Sequence, residues 1–149
     1  MAAAALLGGC GGAAQQDTTP AACLRGPAAF AEALRAAPGD VQLKGGVTIS
    51  GCLVRNQSPG DLADVGASLV KVSTDLNARA RHDPGGPPTV QLGFLVGAVA
   101  RAASKTAGIH AELLRRIQAA ALYGPAGKPP PPPFDQTYEK GYAAGKDHG

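Results

Sequence analysis

The chain has 149 residues, enough for one domain with tails, and a formal net charge of +3 from 14 basic and 11 acidic side chains. The basic residues are scattered and only 4% of the chain is aromatic, which argues against a nucleic-acid-binding surface. The apolar fraction is 44%, much of it alanine, and tryptophan is absent. A thin core of small side chains suits close helix packing and disfavours a β-sheet.

The chain opens on an apolar run, Ala2 to Leu7, followed by Leu7-Gly8-Gly9-Cys10. An aliphatic residue, two small residues and a cysteine form the pattern of a bacterial lipobox. The thiol accepts a diacylglyceryl group, and the peptidase that cuts before it admits only small side chains. Residues 1–9 are therefore expected to be a short signal segment and Cys10 a lipidation site. Its acyl chains would hold the protein on the membrane at roughly 0.8 kcal/mol per buried CH₂. The first basic residue is Arg25, whereas export signals begin with positive charge, so the natural start is expected upstream of Met1. Residues 10–22 read as a flexible tether of Gly, Ala, Gln, Asp, Thr and Pro.

With Cys10 assigned to lipid, Cys23 and Cys52 remain as an even pair, expected to form a disulfide in an exported chain. The alternative is two separate thiols in a reduced protein. A zinc site is not expected, because His82, His110 and His148 are scattered and the cysteines lack close spacing.

Residues 23–124 read as a helical domain. A first helix is predicted over 27–37, with Pro27 at its first position and Pro38-Gly39 ending it. Over 40–54 the period changes to alternation around Gly45-Gly46, which predicts a short β-hairpin, with an irregular loop as the alternative. A second helix over 58–81 has Ser58 as cap, Pro59 at its first position and Asp61 in its first turn. Its seam is Leu62, Val65, Leu69, Val72 and Leu76. A third helix is predicted over 89–123, carrying Leu92, Leu95, Val99, Ala102, Thr106, Ile109, Leu113 and Ile117 at similar spacing. The turn at Pro84-Gly85-Gly86-Pro87-Pro88 folds the second and third helices back as an antiparallel hairpin. The expected fold class is thus mainly α: a small three-helix bundle on a long hairpin, with flexible N- and C-terminal tails.

Residues 125–133 read as a proline-rich spacer in extended conformation. Phe134, Tyr138 and Tyr142 recur every four residues over 134–149, which predicts a short amphipathic helix or a disordered tail. An aromatic stripe of this kind either folds onto its own bundle or docks a protein partner. These three rings are the candidate docking residues.

The sequence suggests no catalytic constellation, phosphate-binding loop, metal site or cofactor. His110 and Glu112 are expected at the surface, and Arg115-Arg116 are expected to complement a helix dipole. The apolar run from Val90 to Ala100 stops at Arg101 and is too short to span a membrane.

The order of alanine-rich start, Leu7-Gly8-Gly9-Cys10, Pro/Thr linker, cysteine-containing connection and helical hairpin resembles lipoprotein-like exported proteins of high-GC Gram-positive bacteria. That resemblance implies an extracytoplasmic location, anchored to the cell membrane through Cys10, and implies no active-site residue. The expected function is a tethered structural or protein-interaction module. The alternative is a binder of small apolar ligands, using gaps left by Gly93, Gly97 and Gly108.

Overall fold

The computed structural model describes residues 17–124 and 127–149. It is mainly helical, with helices α1 (Pro27–Ala33), α2 (Pro59–Ala80), α3 (Pro87–Lys105), α4 (Ala111–Ala120) and α5 (Pro132–His148). Short 3₁₀ turns at Ala21–Leu24, Leu34–Ala36 and Ser50–Cys52 complete the ordered elements. Helix α3 is the axis of the bundle, and α2, α4 and α5 all pack against it. Each residue from Thr89 to Val99 is buried. A helix apolar on every side is stable in water only when neighbours cover all of it.

Helix α2 starts as its sequence dictates. Ser58 Oγ accepts a hydrogen bond from the Asp61 backbone N–H at 3.1 Å, and Pro59 occupies the first helical position. Val65, Leu69, Val72 and Leu76 are buried along one face, while Asp64, Lys71 and Asp75 face water. Replacing Ser58 with alanine should cost about 1 kcal/mol in chemical denaturation, the usual loss for an N-cap, and Ser58→Asp should restore it.

The predicted hairpin over 40–54 is reduced to a single antiparallel bridge between Leu43 and Val47. Gly45 and Gly46 turn the chain at φ values of 83° and 76°. Val41, Leu43, Ile49 and Leu53 are buried, so the segment is held by side-chain packing rather than by a ladder. Cys23 and Cys52 are joined by a disulfide, both wholly buried, which ties the start of the described chain to the end of this segment.

The predicted third helix is two helices. α3 ends at Lys105, and Ala107 and Gly108 adopt φ values of 53° and 83° before α4 begins at Ala111. Left-handed residues cannot continue a right-handed helix, so the chain turns sharply at this elbow. α4 packs Leu113 and Ile117 inward. Its last carbonyls are satisfied by α2: the Asn77 amide donates to Ala120 O at 2.9 Å and Leu122 O at 2.7 Å. Arg115 pairs with Glu112 at 2.5 Å, and the last turn of α4 carries no basic residue, so Arg115-Arg116 do not serve as expected at a helix end.

Of the two expectations for the C-terminal segment, the amphipathic helix holds and the disordered tail does not. Residues Pro132–His148 form α5, which makes the most extensive helix–helix contact in the fold, with α3. Both helices carry glycines four residues apart, Gly93 and Gly97 on α3 and Gly141 and Gly145 on α5. A Cβ on Gly93 would overlap the Tyr138 carbonyl and lie 2.9 Å from Tyr142 N, and one on Gly97 would overlap the Tyr142 carbonyl. Reciprocally, a Cβ on Gly141 or Gly145 would lie 2.9 Å from Phe94 N or Ala98 N. Contacts advance along both chains in the same sense, so α3 and α5 are parallel. Missing side chains let the two backbones touch. The Arg101 guanidinium closes the far end, donating to Lys146 O at 2.9 Å and to Asp147 O.

Candidate functional site

Among the sequence-predicted positions, the aromatic stripe on α5 forms a continuous column of rings. Pro131 is extended, and Pro132 and Pro133 open the helix, where a missing N–H costs nothing. The four-residue period then brings Phe134, Tyr138 and Tyr142 into one column, with centroids 5.7 and 6.3 Å apart and neighbouring rings near parallel. Tyr123 meets Phe134 edge-on at 4.7 Å. Phe134 is buried and belongs to the core, whereas Tyr138 and Tyr142 are half-buried with part of each ring in water. Burial, then the neighbouring Tyr142 and Glu139, push the Tyr138 phenol well above its ordinary pKa. The ring is therefore neutral at any physiological pH, so it can donate a hydrogen bond but not act as an anion.

Beside this column runs an open groove of about 550 Å³ between the end of α4 and the start of α5. Leu122, Tyr123, Pro130, Phe134 and Tyr138 supply apolar wall, and Lys128, Asp135 and Glu139 supply charge. Leu122 is 65% exposed, an apolar cost that a surface binding a partner would recover.

Gly93 and Gly97 do not leave a gap for a ligand, because the α5 backbone fills the space. Gly108 is exposed at the elbow. Among the described residues no group of three or more His, Cys, Asp or Glu side chains is placed to hold a metal ion. No helix among them is long and apolar enough to cross a membrane. The expected lipid site, Cys10, and the signal segment lie outside the described residues, as do Pro125 and Ala126 at the start of the proline-rich spacer.

One polar residue is placed against expectation. His110, read as a surface residue, is wholly buried at the elbow. Its Nδ1 lies 2.8 Å from Thr106 Oγ1 and its Nε2 lies 3.2 Å from Gln57 Oε1. Burial lowers its pKa, since a charged ring there would lose its hydration. Glu112 is exposed as expected. The left-handed Ala107 and Gly108 could have signalled the burial only if the elbow itself had been legible. Set against known proteins, the chain gives no match to a family model, to a curated protein or to a solved structure.

Proposed function

We propose that this chain is an exported module tethered to the membrane by lipid on Cys10, serving a structural or protein-interaction role outside the cytoplasmic membrane. The observation that carries the reading is the pairing of Cys23 with Cys52. Disulfides form and persist in oxidising compartments. The pairing also leaves Cys10 as the remaining cysteine of the sequence, directly behind Leu7-Gly8-Gly9. Six residues separate Cys10 from the first described residue, Asp17, which gives the fold room to stand off the bilayer. The half-exposed edges of Tyr138 and Tyr142 and the groove beside them are the surface we assign to a partner.

Mass spectrometry of the protein from its native membrane fraction tests the anchor. The expected species begins at Cys10 and carries a diacylglyceryl thioether, and Cys10→Ser should move the protein to the soluble fraction. An unacylated protein in the cell interior, with free thiols at 23 and 52, would refute the proposal. For the partner surface, a photo-crosslinking residue at the exposed position of Glu139 should trap one discrete product on intact cells, and the same probe at Lys71, exposed on α2 and outside the groove, should not.

A further inference from the structure

The elbow between α3 and α4 holds a chain of buried polar groups that links three separate parts of the sequence. The Gln57 amide nitrogen donates to Thr19 Oγ1 and to Cys52 O, each at 3.0 Å. Those two donations fix the amide, so its oxygen is the atom that faces His110 Nε2. An amide oxygen only accepts, so Nε2 carries the proton. The neutral ring then receives the Thr106 hydroxyl at Nδ1. Thr19 is 4% exposed, Thr106 5% and His110 0%, so water does not supply these bonds.

We propose that His110 is an acid-released latch: while neutral it pins residues 17–24 and the Cys52 segment to the α3–α4 elbow, and its protonation lets them part. Hydrogen bonding alone does not oppose protonation. Gln57 Oε1 would still accept from Nε2, and the Thr106 hydroxyl can turn to donate to Ala102 O, 2.9 Å away, while accepting from Nδ1. The obstacle is the charge itself. The hydrogen bonds of the ring go to neutral groups, and burial is the cause that lowers its pKa. The ionisable side chains on the segments that meet at the elbow are Asp17, Arg55, Asp61, Asp64, Arg101, Lys105, Glu112, Arg115 and Arg116. Glu112 is taken by Arg115, and Arg55 reaches the Lys105 carbonyl at 3.3 Å. A buried imidazolium gains most by reaching water, and the elbow beside it is exposed. Ala107, Gly108 and Ile109 are exposed, and two of them hold left-handed backbone.

The sign follows from linkage. In the opened state the ring has its ordinary pKa near 6.5, and in the closed state a lower one, so the opened state binds more protons. Above about pH 6.5 the latch is closed at full strength. As pH falls below that, the opened population rises by up to about tenfold per pH unit until the closed-state pKa is passed, then levels off. The latch holds whether or not Cys10 carries lipid, so its test is independent of the anchor.

Hydrogen exchange at pH 7.5 and 5.0, corrected for intrinsic rates, reads the opening directly. The amides of Cys23, Ala111 and Leu114, which bond to Pro20 O, Gly108 O and His110 O, should lose roughly tenfold in protection at pH 5.0. Amides at the α3–α5 contact should not change. In an NMR titration the His110 ring should show a midpoint clearly below 6.5. His110→Gln should remove the acid response, which separates this ring from the exposed His82 and His148. Unchanged protection at pH 5.0, a ring midpoint at or above 6.5, or an acid response that survives in His110→Gln would each overturn the proposal. If His110→Gln fails to fold, the first two measurements on the natural protein still decide it.

Discussion

Gly97→Ala is expected to destabilise the protein by about 3 kcal/mol or more, at or above the upper end of overpacking costs. The single added methyl would overlap the Tyr142 carbonyl and lie 2.9 Å from Lys146 N. These are backbone atoms of a packed helix, so no rotamer change relieves the clash, and α5 must move off α3. The same argument applies to Gly145, whose Cβ would meet Phe94 O and Ala98 N. Gly60, also in a helix, makes the control: a Cβ there meets nothing within 4 Å. Gly60→Ala should therefore stabilise, by about 0.5 kcal/mol, because alanine loses less backbone freedom on folding. Urea unfolding of the three variants checks both signs at once. A Gly97→Ala protein as stable as the natural one would mean that the two backbones are not in contact.

Removing the disulfide should cost about 3–4 kcal/mol on the chain-entropy account of a loop this long. Cys23 and Cys52 are 29 positions apart. For a domain whose total stability is expected to be about 5–15 kcal/mol, that is a large share. Both cysteines are fully buried, so the Cys23→Ala, Cys52→Ala double variant also leaves unfilled volume. Reduction of the natural protein keeps the sulfurs and isolates the cross-link. The reduced protein should melt well below the oxidised one, with the double variant lower still. Identical denaturation midpoints with and without reductant would show that the bond carries no stability.

The legibility of this fold varies with how one-sided each helix is. On α2 the buried seam stands out because its other face is charged, and Val65 to Leu76 fall inward as their spacing predicts. On α3 period carries little information, since Thr89 to Val99 are buried on all sides. The elbow was hidden for a related reason: Thr106, Ile109 and Leu113 keep three- and four-residue spacing straight through it. The left-handed turn displaces only the residues beside it, and the seam resumes at Leu113 and Ile117. Ile109, placed by period in the seam, is 51% exposed, and its neighbour His110, placed outside, is wholly buried. Period alone cannot register a rotation made by backbone.

The α3 side of the α5 contact was misread because absent side chains have two meanings. Gly93 and Gly97 look like weak points or gaps until a second pair, Gly141 and Gly145, is recognised as their match. Arg101 was similarly read as the end of an apolar run, whereas its charge is placed to satisfy the terminal carbonyls of α5. Of the candidate docking rings, the four-residue stripe was plain in the sequence. That Phe134 would turn into the core while Tyr138 and Tyr142 keep an edge in water depended on where α5 docks.

The parallel pairing of α3 and α5 also constrains when this protein can fold. Arg101 meets Lys146 across 45 positions of sequence, and an antiparallel return through α4 must be laid down in between. Closing so long a loop before any contact rewards it makes the last helix late to dock. A nascent chain would therefore carry α3 with one apolar flank open until α5 has emerged.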